Sequence, residues 1–399
     1  MPESVMSAVA GRPWERIVVR EGFNDAAMKA AMDEVIASAE GGAVRKTLVF
    51  PPGDFHLTKP LFTSAAANRD QLQGLSIQGQ GIRSTRIFWD NAGRDAPSDP
   101  LANNLITAVR RLRWATIGGF SVISNGAKNR FAYLLSDTQG FNQAWEVHDV
   151  EFSGPWDRVF GIDGGEDANL NSEMSFRRLF TATNSTFRDA FFRTGGISGT
   201  HPQQNQFLNY WVEDCCLTLS AGVVFRLDRG GSLRVSRGSW SAATADGAIT
   251  WFLMPNGQSN SRTAAQLSVQ DVRFEPKGDR HKIIDCAWGT GTVTFDDCSD
   301  VGSMQNTASY ARTLHRYVGQ PWWDQGNGPT VRYRSCALAG RHEYDGPRQT
   351  RGGFVYDGSH FYRGQSGQTT TPADVLRSTG GAARYRFTNC DNIADASNR

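Results

Sequence analysis

Two aspartates, Asp228 and Asp285, are the residues best placed to do chemistry. Each closes a short apolar run, Val223-Val-Phe-Arg-Leu227 and Lys282-Ile-Ile-Asp285, and a short connection follows each. Glycoside hydrolysis needs two carboxyl groups, roughly 5–9.5 Å apart, one protonated and one ionised. A lyase acting on an acidic sugar needs instead a base and a group that neutralises the sugar carboxylate. Asp228 and Asp285 are therefore the catalytic candidates. Around them stand side chains suited to holding a sugar: His201 and Arg229 near the first, Trp288 and the run Trp322-Trp323-Asp324 near the second. An aromatic face stacks on the C–H face of a pyranose as it does on other apolar bodies. For the Trp322-Trp323 pair two readings stay open: a sugar platform, or packing over the chain's own surface or at a subunit interface.

Other carboxylate pairs read differently. Glu213-Asp214 and Asp296-Asp297 fall where the chain must bend, and Asp and Asn favour bends through local hydrogen bonds. They are expected to be turn residues. The seven histidines show no metal-binding spacing, and neither a Walker loop nor a serine nucleophile elbow is present. Gly79-Gln-Gly81 reads as part of a turn, and Asn184-Ser-Thr186 is a glycosylation sequon of a kind common by chance. No cofactor and no metal are expected.

These residues need a scaffold, and a repeat supplies it. The pattern is apolar, any, apolar, two polar or small residues, then a small or apolar residue. It reads Trp145-Glu-Val-His-Asp-Val150, Met174-Ser-Phe-Arg-Arg-Leu179, Tyr210-Trp-Val-Glu-Asp-Cys215 and Leu233-Arg-Val-Ser-Arg-Gly238. Then come Leu267-Ser-Val-Gln-Asp-Val272, Val293-Thr-Phe-Asp-Asp-Cys298, Val331-Arg-Tyr-Arg-Ser-Cys336 and Tyr385-Arg-Phe-Thr-Asn-Cys390, with Leu112-Arg-Trp-Ala-Thr-Ile117 a weaker early copy. The step between copies runs from 23 to 54 residues. A fixed core with variable insertions is the mark of a solenoid whose coils carry loops of different length. Alternation gives a strand with one face inward. Stacked at ~4.8 Å, about ten coils make a body on the order of 50 Å long. Cys215, Cys298, Cys336 and Cys390 share one phase and are expected to stack inside as small packable residues.

A second strand precedes the repeated one in each coil, for example Ala132–Leu135, Val159–Ile162, Thr250–Leu253 and Gly353–Tyr356. The connection back is long at 163–173, 194–208, 254–266, 318–330 and 357–384, and short at 228–232 and 286–292. Corresponding loops leave a solenoid on one side. Long beside short makes clefts, which is why Asp228 and Asp285 are preferred.

The N-terminal part carries a resemblance. Asn24 is placed to cap a helix over 24–40 whose apolar stripe is Ala27, Met28, Ala31, Met32, Val35, Ile36 and Ala39. Phe50-Pro-Pro-Gly53 and Ile77-Gln-Gly-Gln-Gly81, with Thr85 and Ile87, follow it. This arrangement resembles the start of the pectate-lyase-like superfamily of right-handed parallel β-helices, over about 60 residues. The resemblance implies an all-β, single-stranded right-handed parallel β-helix over residues 24–393, a capping helix, an N-terminal attachment segment at 1–23 and a short tail at 394–399.

It also narrows function. The charge is near balance, with 42 Lys and Arg against 40 Asp and Glu, which argues against a nucleic-acid partner. No run of about 18 apolar residues exists, so no membrane insertion is expected. No secretory signal is read in the first 20 residues. Among β-helices similar to this one, that favours phage tailspikes and minor tail proteins, which assemble in the bacterial cytoplasm. The expectation is a virion spike or tail-fibre-type protein that binds host surface polysaccharide, with or without cleaving it, as a homotrimer joined to other virion proteins through its N-terminus. Two alternatives stand: an extracellular polysaccharide lyase or glycoside hydrolase outside any virion, and a purely structural virion decoration.

Overall fold

The computed structural model describes residues 15–19, 24–64, 72–91, 99–110, 112–136, 140, 142–164, 171–197, 207–228, 231–255, 266–300, 313–319, 328–362 and 370–398. Two long sheets dominate, and their neighbouring strands are parallel except at the C-terminal end. In the first, chain order equals sheet order through Lys46–Val49, Ser76–Gln78, Thr116–Ser124, Glu146–Ser153, Ser172–Thr181, Phe207–Leu219, Gly231–Ala242 and Gln266–Glu275, and on to Tyr385–Thr388. The second runs from Phe62–Ser64 to Leu376–Gly380 through eleven strands. The fold is a right-handed parallel β-helix, with one strand of each sheet per coil.

The bends sit where the sequence places them. In the eight main copies the residue before the inward small one has left-handed backbone: Asp149, Arg178, Asp214, Arg237, Asp271, Asp297, Ser335 and Asn389 have φ between +49° and +56°. Gly119 does the same in the coil before them. In the strand Thr116–Ser124 the bend separates two halves that pair with different strands. Thr116–Gly118 pairs with Ser76–Gln78, and Ser121–Ser124 pairs with Arg86–Trp89. The bend row is also cross-linked by charge: Arg178 grips Asp149 through two bonds of 2.6 Å, and Arg237 meets Asp214 at 2.7 Å. Glu213-Asp214 and Asp296-Asp297 are thus turn residues.

The lumen is filled by columns. Phe160, Phe192, Phe225 and Phe252 stack on successive strands of the second sheet. Phe295, Tyr333, Tyr356 and Phe387 stack nearly face to face in the first. The cysteine column forms as expected. Cys215, Cys298 and Cys336 are buried and Cys390 half-buried, each thiol lying 3.2–3.3 Å from the carbonyl two residues earlier. No cysteine is bridged. At one corner buried amides satisfy the backbone: Asn142 donates to Leu135 O and to Asn171 Oδ1, and Asn171 donates to Asp163 O.

The capping helix spans Asp25–Ala37. Asn24 Oδ1 accepts from Ala27 N at 3.0 Å, and Met28, Met32 and Val35 are buried. Three details depart from the sequence reading. Glu15–Val18 pairs with Lys46–Val49, so the first rung lies before the helix, inside the segment read as attachment. Ala396–Asn398, read as tail, folds back antiparallel on Tyr385–Phe387. Gly353–Asp357 is not a second strand. It pairs with Thr330–Arg334 and Tyr385–Thr388 in the first sheet and bends at Gly358, so it is a further copy that splits the 54-residue step. The long 357–384 connection is therefore not one loop; it contains His360–Phe361, the helical turn Pro372–Val375 and Leu376–Gly380.

Candidate functional site

The outward face of the second sheet collects charge. Register places Arg193, Arg226, Leu253, Asp285, Arg316 and Glu343 side by side on six successive strands. The rows flanking it, such as Phe192, Phe225, Phe252 and Ile284, point into the core. Alternation along each strand leaves the charged row outward. Leu253 divides this row in two.

The first group centres on Asp189 and Asp228. Asp189 accepts from Arg158 Nη1 at 3.1 Å, Arg193 Nη1 at 3.0 Å and Arg226 Nη1 at 3.2 Å. Asp228 accepts from Arg193 Nε at 2.8 Å and Arg226 Nε at 3.2 Å. Arg193 also donates to Gly196 O. One strand earlier Asp157 is held between Arg130 and Arg188 at 2.7 and 2.8 Å. Burial pushes the Asp189 carboxyl up, but Arg193, Arg158 and Arg226 outweigh it and hold the group below the usual carboxylate range. Burial pushes Arg158, only 2% exposed, below the usual guanidinium value, with Arg130 adding to the effect. Arg193 moves the other way. Burial lowers it, while Asp189 and Asp228 more than offset that.

The second group centres on Asp285. Lys282 Nζ donates to it at 2.8 Å and Arg316 Nη1 at 3.3 Å. Arg316 Nη2 reaches on to Asp345, which also accepts from Thr379 Oγ1 at 3.1 Å.

Asp228 and Asp285 thus lie on the expected face at strand ends, but the strand Ile249–Met254 runs between them and each is clamped by its own cations. Trp288 does not line a cleft. It is completely buried among core residues, because the chain turns inward after Cys286, with Ala287 N bonded to Met254 O. A ring of that size gains more from burial than from water contact. His201, Arg229, Trp322, Trp323 and Asp324 lie outside the described residues. Asp189, Arg158, Arg193, Arg226 and Arg316 are the members that sequence reasoning missed. Their signal was charge inside otherwise apolar strands, as in Arg188-Asp-Ala-Phe-Phe-Arg193 and Val223-Val-Phe-Arg-Leu227.

The arrangement suits holding a ligand better than moving protons. Asp189 is ionised at any ordinary pH and so is no proton donor. Arg226 and Arg316 keep about a third of their side chains exposed, 32% and 33%, while their partners fix them. Guanidinium groups fixed in this way offer charge-assisted bonds to hydroxyl or carboxylate oxygens at little ordering cost. Among the described residues no cluster of three or more His, Cys, Asp or Glu could hold a metal ion.

No protein-family model matches the chain, and no curated protein matches it. Solved structures do. The Agl-KA catalytic domain is 15% identical with a TM-score of 0.47, over 96% of this chain and 69% of that one. The endo-xylogalacturonan hydrolase from Aspergillus tubingensis is 12% identical, TM-score 0.45, over 92% of this chain and 100% of that one. ORF18 of Geobacillus virus E2 is 10% identical, TM-score 0.35, over 94% and 62%. The likeness is one of fold alone. By its own architecture the chain is a right-handed parallel β-helix.

Proposed function

We propose that this chain is a glycan-binding β-helix of the virion spike or tail-fibre type. It recognises host cell-surface polysaccharide along the outward face of the second sheet, works as a homotrimer and joins other virion proteins through its N-terminal segment. One observation carries the binding part: the outward row in which Arg226 and Arg316 are held by Asp189, Asp228, Asp285 and Asp345 yet keep about a third of their side chains exposed. A glycan offers many hydroxyl acceptors and, in acidic forms, carboxylates, and rigid planar donors match both. Recognition without cleavage is the favoured form, because Asp189, Asp228, Asp285 and Asp345 are each held by guanidinium or ammonium groups.

The test is retention of the protein on immobilised bacterial surface polysaccharides, with titration calorimetry on those that retain it. Arg226→Gln and Arg316→Gln should each weaken binding at least about tenfold, the loss of one charge-assisted bond. Retention on no polysaccharide, or unchanged affinity in both variants, would overturn the reading. Release of new reducing or unsaturated ends would make the protein a depolymerase, with Asp228→Asn and Asp285→Asn as the next variants. Light scattering should give three times the chain mass; a monomer would remove the spike assignment.

A further inference from the structure

On the other sheet, far from the charged row in register, the first coils carry an open groove. Two recesses of about 430 and 380 Å³ share Thr47 and Ser76 on their floor. Both fall in the size range of small-ligand sites. Arg16, Thr47, Ser76 and Thr116 are register partners on successive strands, so the groove crosses four coils, a span of about 14 Å at the usual strand spacing.

Trp114 stands on its wall, 54% exposed. Only three large hydrophobic side chains among the described residues are exposed, and a second, Val18 at 46%, lies in the row of the groove residues Val49 and Gln78. The backbone at Trp114 is also unusual. Gly74, Trp114, Ala144, Glu173 and Asn209 occupy equivalent left-handed corners on successive coils, with φ from +52° to +78°. Glycine, alanine, glutamate and asparagine serve the corner on the other coils, and a bulky aromatic is the costly choice there. Gly74 lines the same recess, and a Cβ there would meet only Val44 O at 3.9 Å.

The remaining lining is mixed: Ala43, Val44 and Val49 are apolar, Arg45 is paired with Glu40 at 3.5 Å, Arg16 stands on the end strand, and the rest is uncharged and polar. The side chains of Thr47, Gln73, Ser76 and Gln78 make no hydrogen bond in the described structure, so their hydroxyl and carboxamide groups are open to a ligand. No carboxylate lines either recess. An aromatic face beside unengaged amides and hydroxyls matches one ligand chemistry, a pyranose with an apolar C–H face and equatorial hydroxyls. We infer that this groove is a binding site for a neutral hexopyranose oligosaccharide, with Trp114 as its stacking platform. The site is separate from the charged row and does not depend on it.

The experiment titrates the full chain with maltohexaose, cellohexaose and laminarihexaose, followed by saturation-transfer NMR and calorimetry. At least one should bind. Trp114→Ala should weaken that binding at least about tenfold, and Trp114→Phe should keep it within about threefold, the difference between losing and keeping a stacking face. Gly74→Asn, which tolerates the left-handed corner and fills the recess, should also weaken it. Arg226→Gln should leave it unchanged, which separates this site from the polysaccharide-binding row. No binding by any of the three at about 10 mM, well past the millimolar range of weak sites, would overturn the inference, as would Trp114→Ala binding like the parent. If Trp114→Ala instead lowered the oligomeric mass while sugar affinity stayed constant, the groove would be a protein contact and the inference wrong.

Discussion

Replacing Asp189 by Asn probes the charged row at its most buried point. The carboxylate is the shared acceptor of Arg158, Arg193 and Arg226, and Arg158 is 2% exposed. Asn keeps the shape and removes the charge. Arg193 and Arg226 retain Asp228, but Arg158 hydrogen-bonds no other acceptor among the described residues and is left as a buried cation. Breaking a buried pair from one side costs about 3–5 kcal/mol. With an unfolding entropy of about 2.1 cal/mol/K per residue, a 399-residue chain has about 0.8 kcal/mol/K, so Tm should fall by about 4–6 °C. The double variant Arg158→Met, Asp189→Leu removes the cation along with its partner and should recover most of that loss. The acid dependence fixes the sign. The folded carboxyl titrates below its unfolded value of about 3.9, so its contribution is complete above that pH and is lost as pH falls through the folded value. Calorimetric melting across pH 2.5–8 should therefore show a constant gap between parent and Asp189→Asn from about pH 5 upward and a narrowing gap below about pH 4. A shift under about 1 °C at pH 7, well short of the 3–5 kcal/mol loss, or a gap that stays constant into acid, would refute this account of the row.

Two further predictions rest on other parts of the chain. Asn24→Ala removes the cap bond to Ala27 N, worth about 1 kcal/mol locally, and amide exchange across Asp25–Ala37 should quicken about fivefold while the coils stay unchanged. Burial pushes the Cys215 and Cys286 thiols up to about 12, so an aromatic disulfide reagent at pH 8 should label exposed Cys216 first and reach those two only on unfolding; prompt labelling of Cys286 would contradict its place in the core.

The coil was legible because two independent signals coincide in each copy. Apolar alternation gives the strand, and a polar pair gives the left-handed bend, as Asp149, Asp214 and Asn389 show. Gly353–Asp357 escaped because its copy carries Ser359 at the inward position and Gly358 at the bend, so it was read with the other strand type. The position of Asp228 and Asp285 at strand ends was legible too. Their partners were not. Arg193 reaches Asp228 and Arg316 reaches Asp285 across intervals of 35 and 31 residues, and the variable loops erase any fixed spacing between coils. Trp288 failed for a different reason: a strand end does not reveal whether the next residue turns inward or outward, and here a buried ring decided it. Reading the early copy as Leu112-Arg-Trp-Ala-Thr-Ile117 puts Trp114 at an inward strand position; the register sets the copy at Ala115-Thr-Ile-Gly-Gly-Phe120 instead and leaves Trp114 exposed at the corner, beside Gly74 and Ala144.

The parallel strands have a mechanical consequence. Their ladder bonds point along the long axis, and the first and last described strands sit at opposite ends of the stack. Tension applied between those ends pulls on successive rungs in series, so the weakest terminal coil yields first and the body unspools one coil at a time. A thrust along the same axis presses the aromatic columns Phe160–Phe252 and Phe295–Phe387 together, and close-packed rings compress very little. The molecule is therefore stiff when pushed and progressively extensible when pulled.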